Sequence, residues 1–329
     1  MNPIIKKMKN VYTYIEFQQH AKRDNISLFI CCSSFEDRCF VIPRLVSKFK
    51  NTKRVVFFNS NEAESIKINA NKLLNLAKKN TRLIELNSDK PISNYVNIIQ
   101  LFDEIKYEFP NRPNITIDTT TFTHETLLVL FRILHLRKED LGDIRICYVG
   151  AKEYSTNMKN ETDKWLSKGV DEIRTILGYP GFTDPTKKNH LIILFGFEFE
   201  RTKKIIEEYE FDVITLGFGD EPIQDNHMKI NCERHMRLLV EHPDAREFRF
   251  SLKNPIQTKI QLLQYINLEE LNGYNTVIAP LNNKLSTLGA GLAAIENENI
   301  QLAYAKATIY NTEGYSVPND DIYYSKIEF

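Results

Sequence analysis

Two stretches constrain what this chain can fold into: Asn114-Ile-Thr-Ile-Asp-Thr-Thr-Thr-Phe-Thr-His-Glu125 and Asn275-Thr-Val-Ile-Ala-Pro-Leu-Asn-Asn-Lys-Leu-Ser-Thr287. Each opens as a short β-branched strand, breaks into small polar residues, and runs into an apolar segment of helical period. Each is followed by a strand carrying a tyrosine: Ile144 to Val149 with Tyr148, and Ile300 to Ala305 with Tyr304. Where a buried strand turns into a helix, the first helical N–H groups lack partners, so an α/β protein holds polar or anionic ligands there. Two such turns in one chain imply a duplicated ligand-binding architecture.

The rest of the chain follows the same rhythm. Ile26 to Cys32, Arg54 to Phe58, Arg82 to Leu86, Ile115 to Asp118 and Ile144 to Val149 read as strands alternating with helical patterns. That alternation predicts a parallel sheet with right-handed crossovers. After a turn-rich piece with Pro180, Gly181 and Pro185, it restarts at Leu191 to Phe195, Asp212 to Leu216, Glu247 to Phe250, Thr276 to Ala279 and Ile300 to Ala305. The expected fold is α/β, with two tandem Rossmann-like parallel-sheet units related by pseudo-two-fold symmetry. The expected boundaries are an N-terminal unit at 1–155, a linker at 156–189 with an added edge strand over Val170 to Leu177, and a C-terminal unit at 190–329. Ser34-Phe-Glu-Asp-Arg38 and Gly196-Phe-Glu-Phe-Glu-Arg201 repeat after the first strand of each half, and Tyr148 to Tyr154 aligns with Tyr304 to Tyr310.

In such sheets the ligand lies beyond the strand carboxyl ends, between the first and fourth strands of each unit. This collects Ser33, Ser34, Glu36 and Arg38 beside Asp118, Thr119, Thr120, Thr121 and Thr123 in the first half. It collects Glu198, Glu200 and Arg201 beside Asn282, Asn283, Lys284, Ser286 and Thr287 in the second. Hydroxyls, amides and helix N–H groups suit phosphate or ribose, with Arg38, Arg201 or Lys284 supplying charge. The competing reading is that the hydroxyls only cap helices and that each Glu/Arg pair is a structural ion pair. Candidate ligand contacts are Ser33, Ser34, Arg38, Thr119, Thr120, Thr121, Arg201, Asn282, Asn283 and Lys284. Asp118, Glu36 and His124 are the acid–base candidates should the cleft be catalytic.

The turns Asp118-Thr-Thr-Thr-Phe122 and Pro280-Leu-Asn-Asn-Lys284, with Ser33 and Ser34 after the first strand, resemble the motifs of the CRISPR-associated Rossmann fold family. Aligned with that family's loop, the second turn keeps a lysine and the first has Phe122 in its place. The resemblance implies a sensor of nucleotide second messengers, reading its ligand in a cleft shared by two Rossmann units, here within one chain.

Other motifs point to simpler roles. Leu216-Gly-Phe-Gly-Asp220 lacks the third glycine of a dinucleotide fingerprint and reads as a tight turn. Gly289-Ala-Gly-Leu-Ala-Ala294 offers a small-residue helix face for a neighbouring helix or a second copy of the chain. His227, Cys232, His235 and His242 share a helix expected over 221–241 without a carboxylate or Cys-x-x-Cys partner, so no metal is expected, nor a cofactor. The cysteines Cys31, Cys32, Cys39, Cys147 and Cys232 are an odd, uneven set that reads as free thiols.

Lys+Arg and Asp+Glu are both 43, so the chain carries no net basic field for nonspecific nucleic-acid binding. No run approaches a membrane span and no export signal is visible, which together predict a cytoplasmic protein. The expected function is sensing of a nucleotide or phosphorylated metabolite, in bacterial antiviral signalling, through changed orientation of the halves. A separate effector partner is expected because no effector region is appended. The alternative is a nucleotide-processing hydrolase or transferase at the same cleft.

Overall fold

Leu28–Cys32 is apolar at every position because its strand is covered on both faces. Leu28, Ile30 and Cys32 enter one core while Phe29 and Cys31 enter another, as the two-residue period of a strand dictates. The computed structural model describes residues 10–160, 163–220, 233, 235–268 and 270–329.

The chain first supplies the strands β1 (Val11–Thr13), β2 (Leu28–Cys32), β3 (Lys53–Asn59), β4 (Thr81–Leu86), β5 (Ile115–Asp118) and β6 (Ile144–Tyr154). The chain then supplies β7 (Ser167–Pro180), β8 (Asn189–Leu194), β9 (Val213–Gly219), β10 (Arg246–Phe250), β11 (Asn275–Pro280), β12 (Gln301–Tyr310) and β13 (Ser316–Ile327). Strand order is β1-β13-β6-β5-β2-β3-β4 in one sheet and β10-β9-β8-β11-β12-β7 in the other. Within each half the five parallel strands therefore run 3-2-1-4-5, and the order reverses between β2 and β5 and between β8 and β11. The chain is α/β, with two Rossmann-like units of the same topology.

What the strand pattern did not foretell is an exchange. β7 follows β6 in the chain yet pairs antiparallel with β12 of the second sheet; β13 follows β12 yet pairs antiparallel with β6 of the first. Each sheet is closed by a strand from the other half, and β1 then pairs with β13. The crossovers that follow β6 and β12 are bonded to each other through described residues at their ends. Ser155 and Thr156 donate backbone N–H groups to the Tyr315 and Gly314 carbonyls, and the buried Asn311 amide donates to Ser155 Oγ and the Trp165 carbonyl. Both antiparallel ladders thus tie one half to the other.

The halves also share a core. Helix α5 of the first half (His124–Leu136) packs on its counterpart in the second (Lys284–Glu296, α8 in chain order). Leu127, Leu128 and Phe131 meet Leu285, Leu288 and Leu292 in one continuous cluster. Close approach needs the small residues of α8: a Cβ on Gly291 would lie 2.5 Å from Leu128 Cδ2, and one on Gly289 2.5 Å from Thr258 Cβ. The small face thus serves packing inside the chain. The Gly-Phe-Gly run is not a tight turn: Gly217 and Gly219 lie within β9, where a Cβ on the first would strike the Ile193 carbonyl and Leu194 and one on the second Leu252. Residues 233 and 235–241 are helical, but the other residues of the helix expected over 221–241, His227 and Cys232 among them, lie outside the described residues.

Candidate functional site

Both reversal points open into one cleft. It is lined by the loops after β2 and β5 (Ser33 to Glu36, Thr120 to His124) and by those after β8 and β11 (Phe195 to Glu198, Leu281 to Lys284). The duplicated first-strand and fourth-strand loops thus face one another across the join. About 170 Å³ of it is open to the centres of water molecules, against roughly 10–15 Å³ for one water on that measure. The space suits a multi-atom polar ligand.

Its walls repeat each other. Arg38 binds Glu36 through Nε and Nη2 at 2.7 and 3.0 Å, and Arg201 binds Glu198 through Nη1 at 2.7 Å. Each carboxylate also accepts a hydroxyl from the first residue of an exchanged strand, Ser316 for Glu36 and Ser167 for Glu198. Phe35, in the loop after β2, packs against Tyr310 at the end of β12 with ring centroids 6.1 Å apart. Reciprocally, Phe197, after β8, packs against Tyr154 at the end of β6 at 6.0 Å. Tyr148, Tyr304 and Tyr315 complete an aromatic lining. Burial pushes the hydroxyl pKa values of Tyr148, Tyr304, Tyr310 and Tyr315 up, so these phenols stay neutral donors and acceptors.

Most of the small polar residues singled out in the sequence are occupied by the fold. Ser33 Oγ donates to the Ile66 carbonyl, Ser34 Oγ accepts from the Glu36 N–H, and Thr121 Oγ1 donates to the Cys32 carbonyl. Thr123 and Asn283 are N-caps, accepting from Thr126 N and Ser286 N at 3.1 and 2.9 Å. Asn282 Nδ2 donates to the Phe195 carbonyl. Thr120 lines the cleft but bonds Asp118 and accepts the Val149 N–H. Thr119 is fully buried behind the wall and donates to the Cys147 carbonyl.

The acid–base candidates fare differently from one another. Asp118 is 1% exposed and stands behind Thr120, off the cleft wall; burial pushes its pKa up to about 7, against the lowering influence of the Thr120 bonds. Glu36 is held by Arg38 and Ser316. His124 Nδ1 lies 2.6 Å from Thr287 Oγ1, and burial, with Lys284 and Arg201 nearby, keeps its pKa well below the usual value. The buried thiols of Cys31, Cys32 and Cys39 are pushed up by burial, Cys39 to about 12, so none is a ready nucleophile.

Among the described residues of the cleft, two cations keep donors unpartnered. Arg201 is 4% exposed, with Nε and Nη2 unpartnered, and its guanidinium lies 5.4 Å from the Tyr304 ring centroid. Lys284, half-buried, makes no hydrogen bond or ion pair among the described residues; burial, then Arg38 and Arg201, push its pKa down to about 7. The structure also corrects an alignment. Lys284 and His124 both begin their helices, so His124 is the counterpart of the lysine, and Phe122 is a core residue packed on Phe57.

Several cleft residues were not identified from sequence. Asn59 ends β3 with its Oδ1 buried and unpartnered, and Glu62, raised to about 7 by burial, follows it. The repeated Tyr154 and Tyr310 held a usable signal, since duplicated aromatic residues at strand ends mark a common role. Tyr315 carried none, because it reaches the cleft only through strand exchange. Among the described residues no group of three or more His, Cys, Asp or Glu has a metal-binding arrangement, and no helix is long and apolar enough to cross a membrane.

No family model and no curated protein matches the chain. Among solved structures it is similar to the cytoplasmic domain of a prokaryotic cation chloride cotransporter, at 7% identity and TM-score 0.28, covering 86% of this chain and 95% of that one. A "putative universal stress protein" from Pseudomonas aeruginosa UCBPP-PA14 is similar at 8% identity and TM-score 0.26, covering 87% and 95%. A functionally unknown protein from Pseudomonas aeruginosa PAO1 stands at 7% identity and TM-score 0.25, covering 87% and 94%. At these scores the chain's fold and site rest on its own strand order and side chains.

Proposed function

We propose that the shared cleft binds a nucleotide or another phosphorylated small molecule, and that the protein signals its presence to a separate partner. The observation that carries this is Arg201, a guanidinium 4% exposed on the cleft wall with two N–H-bearing nitrogens unpartnered. Leaving such donors unmet costs about 1–3 kcal/mol each, and an anion meets them. Lys284 adds a second cation at a helix N-terminus, where the dipole also favours negative charge. Tyr154, Tyr310 and Tyr315 supply faces on which a base can stack. The resemblance to the CRISPR-associated Rossmann fold family leads to the same class of ligand.

Signalling through the strand exchange fits this geometry better than rocking of the halves. Tyr154 precedes one crossover, while Tyr310 and Tyr315 flank the other, so a ligand among them touches both segments that join the units. The test is thermal unfolding of the full chain with a nucleotide panel. A ligand at 100 times its Kd adds about 2.7 kcal/mol of stability. The increment should vanish in Arg201→Gln. Absence of stabilisation of the wild type by every nucleotide would sink the reading.

A nucleotide-processing enzyme remains a second reading on one observation: Glu62 lines the cleft with its pKa raised to about 7, suited to acid–base work. Turnover of a nucleotide that is lost in Glu62→Gln would establish it over the sensor.

A further inference from the structure

The two walls of the cleft are built alike and charged differently. On the first, the Arg38 guanidinium is consumed by the chain itself: Nε and Nη2 bind the Glu36 carboxylate and Nη1 donates to the Val149 carbonyl at 3.2 Å. On the second, Arg201 spends only Nη1, leaving Nε and Nη2 without partners. The first residue of the helix after the fourth strand repeats the contrast. It is His124 on the first wall, bonded to Thr287, and Lys284 on the second, with no hydrogen bond or ion pair among the described residues.

The unmet group on the first wall is uncharged. Asn59, at the carboxyl end of β3, has its Oδ1 buried without a partner. Its neutral amide can both accept and donate, which suits an uncharged polar group and supplies no positive charge for a phosphate. An anionic group placed against Arg38 would find all three guanidinium nitrogens already bonded to the chain, two of them to the Glu36 carboxylate. A ligand charged equally at both ends therefore fits one wall and is opposed by the other.

We infer that the ligand binds one way round, with a single phosphate-bearing end at Arg201 and Lys284 and an uncharged, hydrogen-bonding end at Asn59. This rests on the nucleotide-binding reading above and narrows it to a one-ended anion of the nucleoside monophosphate class. Duplication supplies the two matching walls, and loss of the free cation on one of them gives the cleft a direction.

The experiment is isothermal titration of the full chain with four ribonucleosides, their 5′-monophosphates, their 3′,5′-bisphosphates and cyclic dinucleotides. At least one monophosphate should bind about tenfold or more tighter than its nucleoside, and a second phosphate should add little. Arg201→Lys keeps the charge but loses the fork of donors. It should cost the monophosphate about tenfold and leave the nucleoside affinity in place. If Arg201→Lys does not fold, Asn59→Leu decides: monophosphate and nucleoside should weaken by the same factor. A bisphosphate or cyclic dinucleotide binding about tenfold tighter than every monophosphate, with equal losses in Arg38→Lys and Arg201→Lys, overturns the one-way orientation while leaving the nucleotide reading intact. Failure of every phosphorylated probe to bind the wild type overturns the nucleotide reading itself.

Discussion

His124 Nδ1 and Thr287 Oγ1 lie 2.6 Å apart, joining the first turn of α5 in one half to the first turn of α8 in the other. The bond forms where the two duplicated loops meet, and the neutral ring suits a site already holding Lys284 and Arg201. Thr287→Val removes the hydroxyl and leaves a buried ring nitrogen without it. The expected cost is about 1–3 kcal/mol, read from urea denaturation. Because the His124 pKa is depressed, the unfolded chain binds its proton first as pH falls below about 6.5. This stability is full above that value and is lost on acidification, and His124→Gln should flatten that part of the pH profile.

The helix pair allows a comparison of two glycines. Alanine at 291 meets only the flexible end of Leu128, whereas alanine at 289 meets Thr258 Cβ and, at 2.8 Å, the Pro255 backbone carbonyl. Alanine gains about 1 kcal/mol of helix propensity at both sites, while overpacking costs about 1–3 kcal/mol. Gly289→Ala should be clearly destabilising and Gly291→Ala close to neutral in denaturant titrations. Equal effects would mean that backbone proximity does not decide the cost.

Strand exchange makes a prediction about cooperativity. Ile322 of β13 is fully buried in the outer core of the first sheet, and Ile176 of β7 is 1% exposed in the shared core. Either residue changed to Ala should cost about 2–4 kcal/mol. Since each sheet is closed by a strand from the other half, both variants should move one common unfolding transition, followed by hydrogen exchange in the two sheets. Two separate transitions, each sensitive to one variant, would contradict the interlocked arrangement.

Asp118 is held behind the cleft with Oδ2 buried and unpartnered. Its pKa, raised from 3.8 to about 7, means the folded state binds a proton that the unfolded state has released between those values. Its contribution is therefore full below about pH 4 and is lost as pH rises to 7. Asp118→Asn should gain about 2–4 °C in Tm at pH 8 relative to wild type, with the gain shrinking towards pH 5.

Lys284 gives a titration of the proposed binding itself. With a pKa of about 7 in the unliganded protein, it is charged below neutrality and neutral above. Anion affinity should fall as pH rises beyond 7, by up to about tenfold per pH unit, with proton uptake on binding. Lys284→Gln should remove this dependence, as buffer-varied calorimetry would measure.

The sequence by itself determined the local units. Apolar runs such as Leu28–Cys32 specify strands buried on both faces, and the repeated strand–turn–helix pattern specifies two parallel sheets of like topology, because period and turn chemistry act over a few residues. It also singled out loops that line the shared cleft, including those of Arg201 and Lys284. The tertiary structure decided which of their groups are free. Ser33, Thr121 and Asn282 were candidate ligand contacts, and each donates to a backbone carbonyl that becomes its neighbour only when the chain folds. The exchange of β7 and β13 lay beyond local reading for the same reason: a strand's pattern says that it must pair, and only the packing of both halves selects the sheet that receives it. That choice delivers Tyr315 to the cleft and, through Ser316 and Ser167, holds the two Glu/Arg pairs in place.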